Sequence, residues 1–218
     1  SVTDAPHRIV PLPRARRLVV DVGRAVRGRP VIRGLLEIDV SEPRRRIRAH
    51  RERTGESLSF TAFLVACAGE AIDAHPEVHA CRDWRGRSVI YDDVDISTMI
   101  EVERDGKRFP VSHLVRGANR KSPAEVSAEL RAIQARPSSE KNLRRLMAFT
   151  ALPAFLRRFL LWSLDRSPRL TKRIKGTVVL TSVGMFGRGA GWALALPTHP
   201  LGIAVGGWFL IENRQRLG

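Results

Sequence analysis

Cysteine is scarce in this sequence. Cys67 and Cys81 are the only two, and their separation fits neither a metal site nor a disulfide framework. A reducing compartment, the cytoplasm, is therefore the expectation, and no metal is expected. Cys67 falls in an apolar helical pattern, where a free thiol behaves as a small hydrophobe. Long apolar runs are missing as well, and no window approaches the length of a membrane span. Residues 1–30 carry charges and prolines throughout and offer no signal-peptide core. Internal repeats and low-complexity linkers are absent, which makes a single α/β domain the economical reading of 218 residues.

Acidic residues are also in short supply. Twenty-two Asp and Glu face 38 Lys and Arg, for a net charge of +16. That balance attracts polyanions, whether nucleic acid, anionic lipid or a phosphorylated small molecule. Nearly all the cations are arginine, which genomic base composition alone also produces. No nucleic-acid module is recognisable, so a nucleic-acid partner ranks last.

What is present is enough apolar material for a core, 43% of the residues, arranged in readable elements. Residues 11–22, PLPRARRLVVDV, pass from a proline-bounded loop into a basic and then apolar segment. Residues 34–41, GLLEIDVS, alternate as a half-buried strand does. Ser41 fits the N-cap of an arginine-rich helix, with Pro43 in its first turn and the arginines as a solvated face. The clearest helix is 59–76, in which Phe60, Phe63, Leu64, Cys67, Ala68, Ala71 and Ile72 form the apolar stripe and Pro76 stops it. Val94, Ile96, Thr98, Ile100 and Val102 alternate along a strand, and Asp105-Gly106 supplies a hairpin turn. Ser122 and Glu125 form a capping box ahead of a helix over 123–135. Residues 201–208, LGIAVGGW, suit a fully buried strand.

Residues 141–167, KNLRRLMAFTALPAFLRRFLLWSLDRS, are aromatic, apolar and basic at once, and Pro153 divides them into two short helices. Such a segment can lie on an anionic membrane surface. It can also pack on the protein's own body or on a neighbouring subunit. Packing is the expectation, and peripheral membrane contact is the alternative.

In GTVVLTSVGMFG, residues 176–187, a run of β-branched residues meets a glycine-spaced turn that begins at Gly184. Thr181 and Ser182 sit between them and must point to opposite faces of the strand.

These segments, taken in order from about residue 10 to about residue 208, resemble the catalytic domain of the dihydrolipoamide acyltransferases, the core enzymes of 2-oxo acid dehydrogenase complexes. The matching pieces are PLPRARRLVV, LLEIDVSEP, SFTAFLVACAGEAIDAHPEVHA, DVDISTMIEV, RKSPAEVSAEL, TVVLTSVGMFG and HPLGIAVGGW. The resemblance implies the chloramphenicol acetyltransferase-like fold: a mixed sheet with helices packed on one side, assembled as a homotrimer or a multiple of trimers, with active sites between subunits. It also implies movement of an acyl group between thiols, one of them that of coenzyme A. In that family a strand hydroxyl before the glycine turn, contributed by the adjacent subunit, stabilises the oxyanion. Thr181 falls at that position, whereas Ser182 reads as an ordinary strand-end hydroxyl. Arg16 falls where the family places an arginine that supports the catalytic loop.

The family's base is a histidine in an H-x-x-x-D-G motif. None of the six histidines, His7, His50, His75, His79, His113 and His199, has Asp-Gly at that offset. The expectation is that a C-terminal segment carrying the motif lies outside these residues; a histidine-free relative is the alternative. His199, in a Thr-His-Pro setting, reads as a loop residue rather than a base. No lipoyl domain is present in the chain, and 141–167 is an apolar, basic insertion relative to the family. The function expected is a stand-alone acyltransferase moving an acyl group between a coenzyme A thioester and a thiol or alcohol. A non-catalytic trimeric scaffold, or an esterase or thioesterase using the same site, are the alternatives.

Overall fold

The computed structural model describes residues 14–104, 107–135, 148–182 and 192–207. Three helices lead: α1 (Arg14–Ala25), α2 (Ser41–Thr54) and α3 (Phe60–Asp73). A two-stranded ladder, β1 (Cys81–Arg82) with β2 (Ser88–Val89), precedes the long antiparallel pair β3 (Ile96–Arg104) and β4 (Lys107–Val115). Then follow α4 (Pro123–Ala135), α5 (Ala154–Arg166), α6 (Pro168–Lys175), β5 (Val178–Ser182) and β6 (Leu201–Val205).

The main sheet runs β4-β3-β5-β6. The β3–β4 pair is antiparallel, whereas β3–β5 and β5–β6 are parallel, so the sheet is mixed as expected. Alternation divides it into two faces. Ile96, Thr98, Ile100 and Val102 of β3, with Val178 and Leu180 of β5, are buried beneath α3 and α4. Burying a side chain of that size contributes roughly 1.5–3 kcal/mol. Ser97, Met99, Val179, Thr181, Gly202 and Ala204 line the other face, which these helices leave uncovered.

Helix α3 is capped by Ser59, whose side chain accepts from the Ala62 N–H. Its buried stripe is Ala62, Val65, Ala66, Gly69 and Ile72. Of the expected stripe, Ile72 is buried and Leu64 and Ala68 pack on the core, whereas Phe60 and Phe63 are half-buried and Ala71 is exposed. Cys67 is exposed. The helix is apolar on most sides, so closeness of approach decides which side turns inward. A Cβ at Gly69 would lie 2.6 Å from the Ala118 carbonyl carbon, a separation only glycine permits. The Ser122–Glu125 capping box forms as expected: Glu125 Oε2 accepts from the Ser122 N–H at 2.8 Å, and Ser122 Oγ accepts from the Glu125 N–H at 3.3 Å.

Elsewhere the sequence expectations need correction. Residues 34–40 form no strand; they run without a ladder partner among the described residues, and Leu35, Leu36 and Ile38 are exposed. Ser41 is the first residue of α2 and not its cap. Its N–H instead donates to Asp39 Oδ1 at 2.8 Å. The arginines of α2 do form a solvated face, since the helix buries no residue. Strand β6 is only half-buried because its sheet edge carries no further strand among the described residues. The Asp105-Gly106 turn lies outside the described residues, although the strands on either side pair in the register Arg104 with Lys107.

Helix α5 follows Pro153 as expected. It lies against α1, but the expected packing of its aromatic residues on the protein's own body does not hold. Phe155 and Phe159 are 73% and 58% exposed, because the inward side of α5 is occupied by Arg157.

Candidate active site

The start of β5 is fixed by Asp95, a buried residue just ahead of β3. Its backbone carbonyl accepts from the Thr177 and Val178 N–H groups, both at 3.3 Å. Its carboxylate accepts from the Gly117 N–H at 2.9 Å and from Arg116 at 3.2 Å, with Lys172 Nζ at 3.5 Å. A charge this deep is held by paired donors from three directions. Gly176, at φ +77°, turns the chain out of α6 so close to Asp95 that a Cβ would meet its carbonyl oxygen at 2.5 Å. Beside this junction, His79 is fully buried. Its Nε2 donates to the Tyr91 carbonyl at 3.2 Å, and its Nδ1 accepts from the Thr177 hydroxyl at 2.6 Å. Burial holds His79 below the ordinary histidine range, which keeps the ring neutral and suits that tautomer.

With its first residues anchored, β5 carries Thr181 to the far end of the strand on the uncovered face. Ser182 points to the helix-covered side, in phase with Val178 and Leu180. Across from Thr181 on β6 is Ala204, and across from Val179 is Gly202, so small residues flank the hydroxyl. Thr181 is half-buried, and its hydroxyl makes no hydrogen bond to another described residue. Among the described residues this hydroxyl is a donor without a partner, beside the small residues of β6, and can hydrogen-bond a substrate carbonyl.

The sequence profile of the 2-oxoacid dehydrogenases acyltransferase (catalytic domain) matches residues 7–145, more than half of the chain. The chain belongs to this acyltransferase family. The comparison with curated proteins found no match. Among solved structures, a probable dihydrolipoamide acetyltransferase from Listeria monocytogenes is similar at 17% identity and a TM-score of 0.59, over 90% of this chain and 72% of that one. A truncated catalytic core of the 2-oxoacid dehydrogenase multienzyme complex from Thermoplasma acidophilum is similar at 20% identity and 0.59, over 91% and 80%. The dihydrolipoamide acetyltransferase of Azotobacter vinelandii is similar at 16% identity and 0.55, over 91% and 71%. The fold is therefore that of the acyltransferase catalytic cores.

The other residues read from the acyltransferase pattern are more scattered. Arg16 lies exposed on α1, a helix whose main neighbour is α5, and no described contact links it to Thr181. Gly184 and the glycine turn lie outside the described residues. His199 precedes β6 and so lies at the opposite end of the strand from Ala204; Leu201 to Ala204 alone spans about 10 Å. Its Nε2 donates to the Lys175 carbonyl at 3.0 Å, and Nδ1 lies 2.9 Å from the Thr198 hydroxyl. Burial, with Lys175 nearby, pushes its pKa down to about 4. This histidine is a structural hydrogen-bonding residue. Among the described residues, no cluster of three His, Cys, Asp or Glu is placed to hold a metal.

The sequence reading missed Asp95 and His79. Asp95 stood as one acid within DDVD, with nothing to mark it as the group that sets the start of β5. The signal for His79 was faint too: a histidine in an apolar stretch after Pro76.

Proposed function

We propose that the chain is a single acyltransferase domain that moves an acyl group between coenzyme A and a thiol or alcohol acceptor. Thr181 is its oxyanion donor. The observation that carries this reading is the Thr181 hydroxyl, free of other described partners on the face of β5 turned away from α3 and α4, in a fold shared with the acyltransferase cores. The acceptor's sulfur or oxygen attacks the thioester carbonyl, and the oxygen of the tetrahedral intermediate takes the Thr181 hydrogen bond. Collapse then expels the coenzyme A thiolate. A donor that meets charge only in the intermediate lowers the barrier without tightening ground-state binding. The attacking thiol, with an ordinary pKa near 8.5, also needs a proton acceptor. We assign none of the described histidines to that role: His79, His113 and His199 are engaged elsewhere, and no described contact links His50, on α2, or His75, after α3, to Thr181.

In this reading the domain works as a trimer or a multiple of trimers, with a neighbouring subunit completing each site. Leu35, Leu36 and Ile38, together with Trp192, Leu194 and Leu196, are exposed on a single chain and support that assembly. The cytoplasm, where Cys67 and Cys81 stay reduced, is the compartment proposed. The scaffold reading draws on one observation: among the described residues no histidine is hydrogen-bonded to Thr181.

Incubation of the full-length protein with acetyl-coenzyme A and dihydrolipoamide tests the proposal. Acyl-dihydrolipoamide appearing with stoichiometric free coenzyme A is the expected result. Acetate formed without acceptor would replace transfer by hydrolysis, and an inert but correctly assembled trimer would favour the scaffold.

A further inference from the structure

Helix α5 buries an arginine and exposes aromatic rings. Phe155, Phe159 and Trp162 recur at helical spacing along its solvent side, and Trp162 is 53% exposed. Arg158 and Arg166 interleave with them, and the Arg166 guanidinium lies 5.0 Å from the Trp162 ring centre. The Phe159 and Trp162 rings stack at 6.0 Å. Inward, Arg157 donates from Nε to Asp21 at 2.8 Å and from Nη1 to the carbonyls of Thr150 and Leu152. The fully buried side chain of the helix is thus an ion-paired arginine, beside the half-buried Leu156, Leu161 and Leu164, while its rings face solvent.

The groove between α1 and α5 has the same character. It encloses about 440 Å³ and includes Arg24, Arg29, Arg158, Trp162 and Arg166. Its acids are already engaged, Asp21 by Arg157 and Asp165 by Arg29 and Lys175. Arg24 and Arg166 are left to face an incoming anion. Helix α6 continues the pattern, with Leu170, Ile174, Arg169 and Arg173 exposed.

We propose that this face of α5 docks on the surface of an anionic phospholipid bilayer. Rings at the depth of the acyl boundary and arginines among the phosphates are the complementary arrangement for an interfacial helix. Among the described residues no helix is long and apolar enough to cross a membrane, which agrees with docking on the surface and not spanning. A second copy of the chain fits this face less well. It would bring the same arginines, on a chain of net charge +16, against one another. The inference stands independently of acyl transfer.

Flotation of the full-length protein with phosphatidylcholine vesicles holding about 30 mol % phosphatidylserine tests it. The parent floats with these vesicles and not with pure phosphatidylcholine, and about 0.5 M salt releases it. Phe155→Ser with Phe159→Ser, and separately Arg158→Gln with Arg166→Gln, each reduce the floated fraction about tenfold. In both variants the oligomer mass and melting temperature stay unchanged. A parent that stays with the soluble fraction, or variants that float as it does, would overturn the proposal. Dissociation of the oligomer in the phenylalanine variant would overturn it too, by making the face a subunit contact.

Discussion

Helices α3 and α5 are close in length, 14 and 13 residues, and both read as apolar segments. They bury opposite things. Helix α3 turns alanines, Val65, Gly69 and Ile72 inward, against the sheet and the backbone at Ala118. The buried side chain of α5 is Arg157. Apolar content alone does not say which side of a helix faces inward; the neighbour does. A close backbone selects small residues, and a buried carboxylate selects a guanidinium. The family profile spans α3 and ends at residue 145, before α5. The helix within the profile packs to build a sheet face, and the one beyond it leaves a basic aromatic surface open.

The largest effect should come from breaking the inward anchor of α5. Arg157→Leu takes the guanidinium 2.8 Å away from the Asp21 carboxylate, only 4% exposed, and leaves Arg158 at 3.8 Å. Removing one partner of a buried pair costs about 3–5 kcal/mol, readable in urea unfolding. Next is the anchor of α3. Gly69→Val places a branched side chain where even a Cβ would overlap the Ala118 backbone. A loss of about 3 kcal/mol is expected, since backbone cannot yield as a flexible side chain does. Should Gly69→Val be neutral, the close approach of α3 is wrong.

A third difference between the regions appears on acidification. His199 has a folded pKa of about 4, below the unfolded value near 6.5, so the stability that its neutral form contributes is present above pH 6.5. It falls as pH drops through that window, by about 2 kcal/mol at pH 5. Burial lowers the His79 pKa in the same sense. Helices α1 and α5 contain no histidine. Hydrogen exchange at pH 5 should therefore quicken in β5 and β6 before α5. The smallest effect belongs to the exposed rings: Phe155→Ser and Phe159→Ser should each move stability by less than about 0.5 kcal/mol.

Much of the sheet was open to the sequence. Val94 to Val102 alternate because α3 and α4 cover one face of β3 and not the other, where Met99 and Glu101 are half-buried. The Ser122–Glu125 box is a local device that needs no distant partner. The opposite phases of Thr181 and Ser182 follow from strand geometry alone. What failed depended on distant or missing neighbours. Leu35 to Ile38 have a strand's alternation, yet no described strand pairs with them. The inward face of α3 was set by Gly69 meeting Ala118, 49 positions away in the sequence. Asp95 became the anchor of β5 only once Gly117, Arg116 and Lys172 converged on it. Arg157 read as half of a basic pair until Asp21 stood opposite.

The central claim is that Thr181, and not Ser182, donates to the oxyanion. The most direct measurement is steady-state acyl transfer by the full-length protein carrying Thr181→Val or Ser182→Ala. The valine keeps the β-branched shape and deletes the donor. It should lower kcat by about a hundredfold or more, close to 3 kcal/mol of transition-state stabilisation, with KM for coenzyme A thioester little changed. Ser182→Ala, on the helix-covered face, should stay within a few-fold of the parent. If Ser182→Ala proved the more damaging, or if Thr181→Val raised KM and left kcat intact, the donor assigned here would be the wrong one.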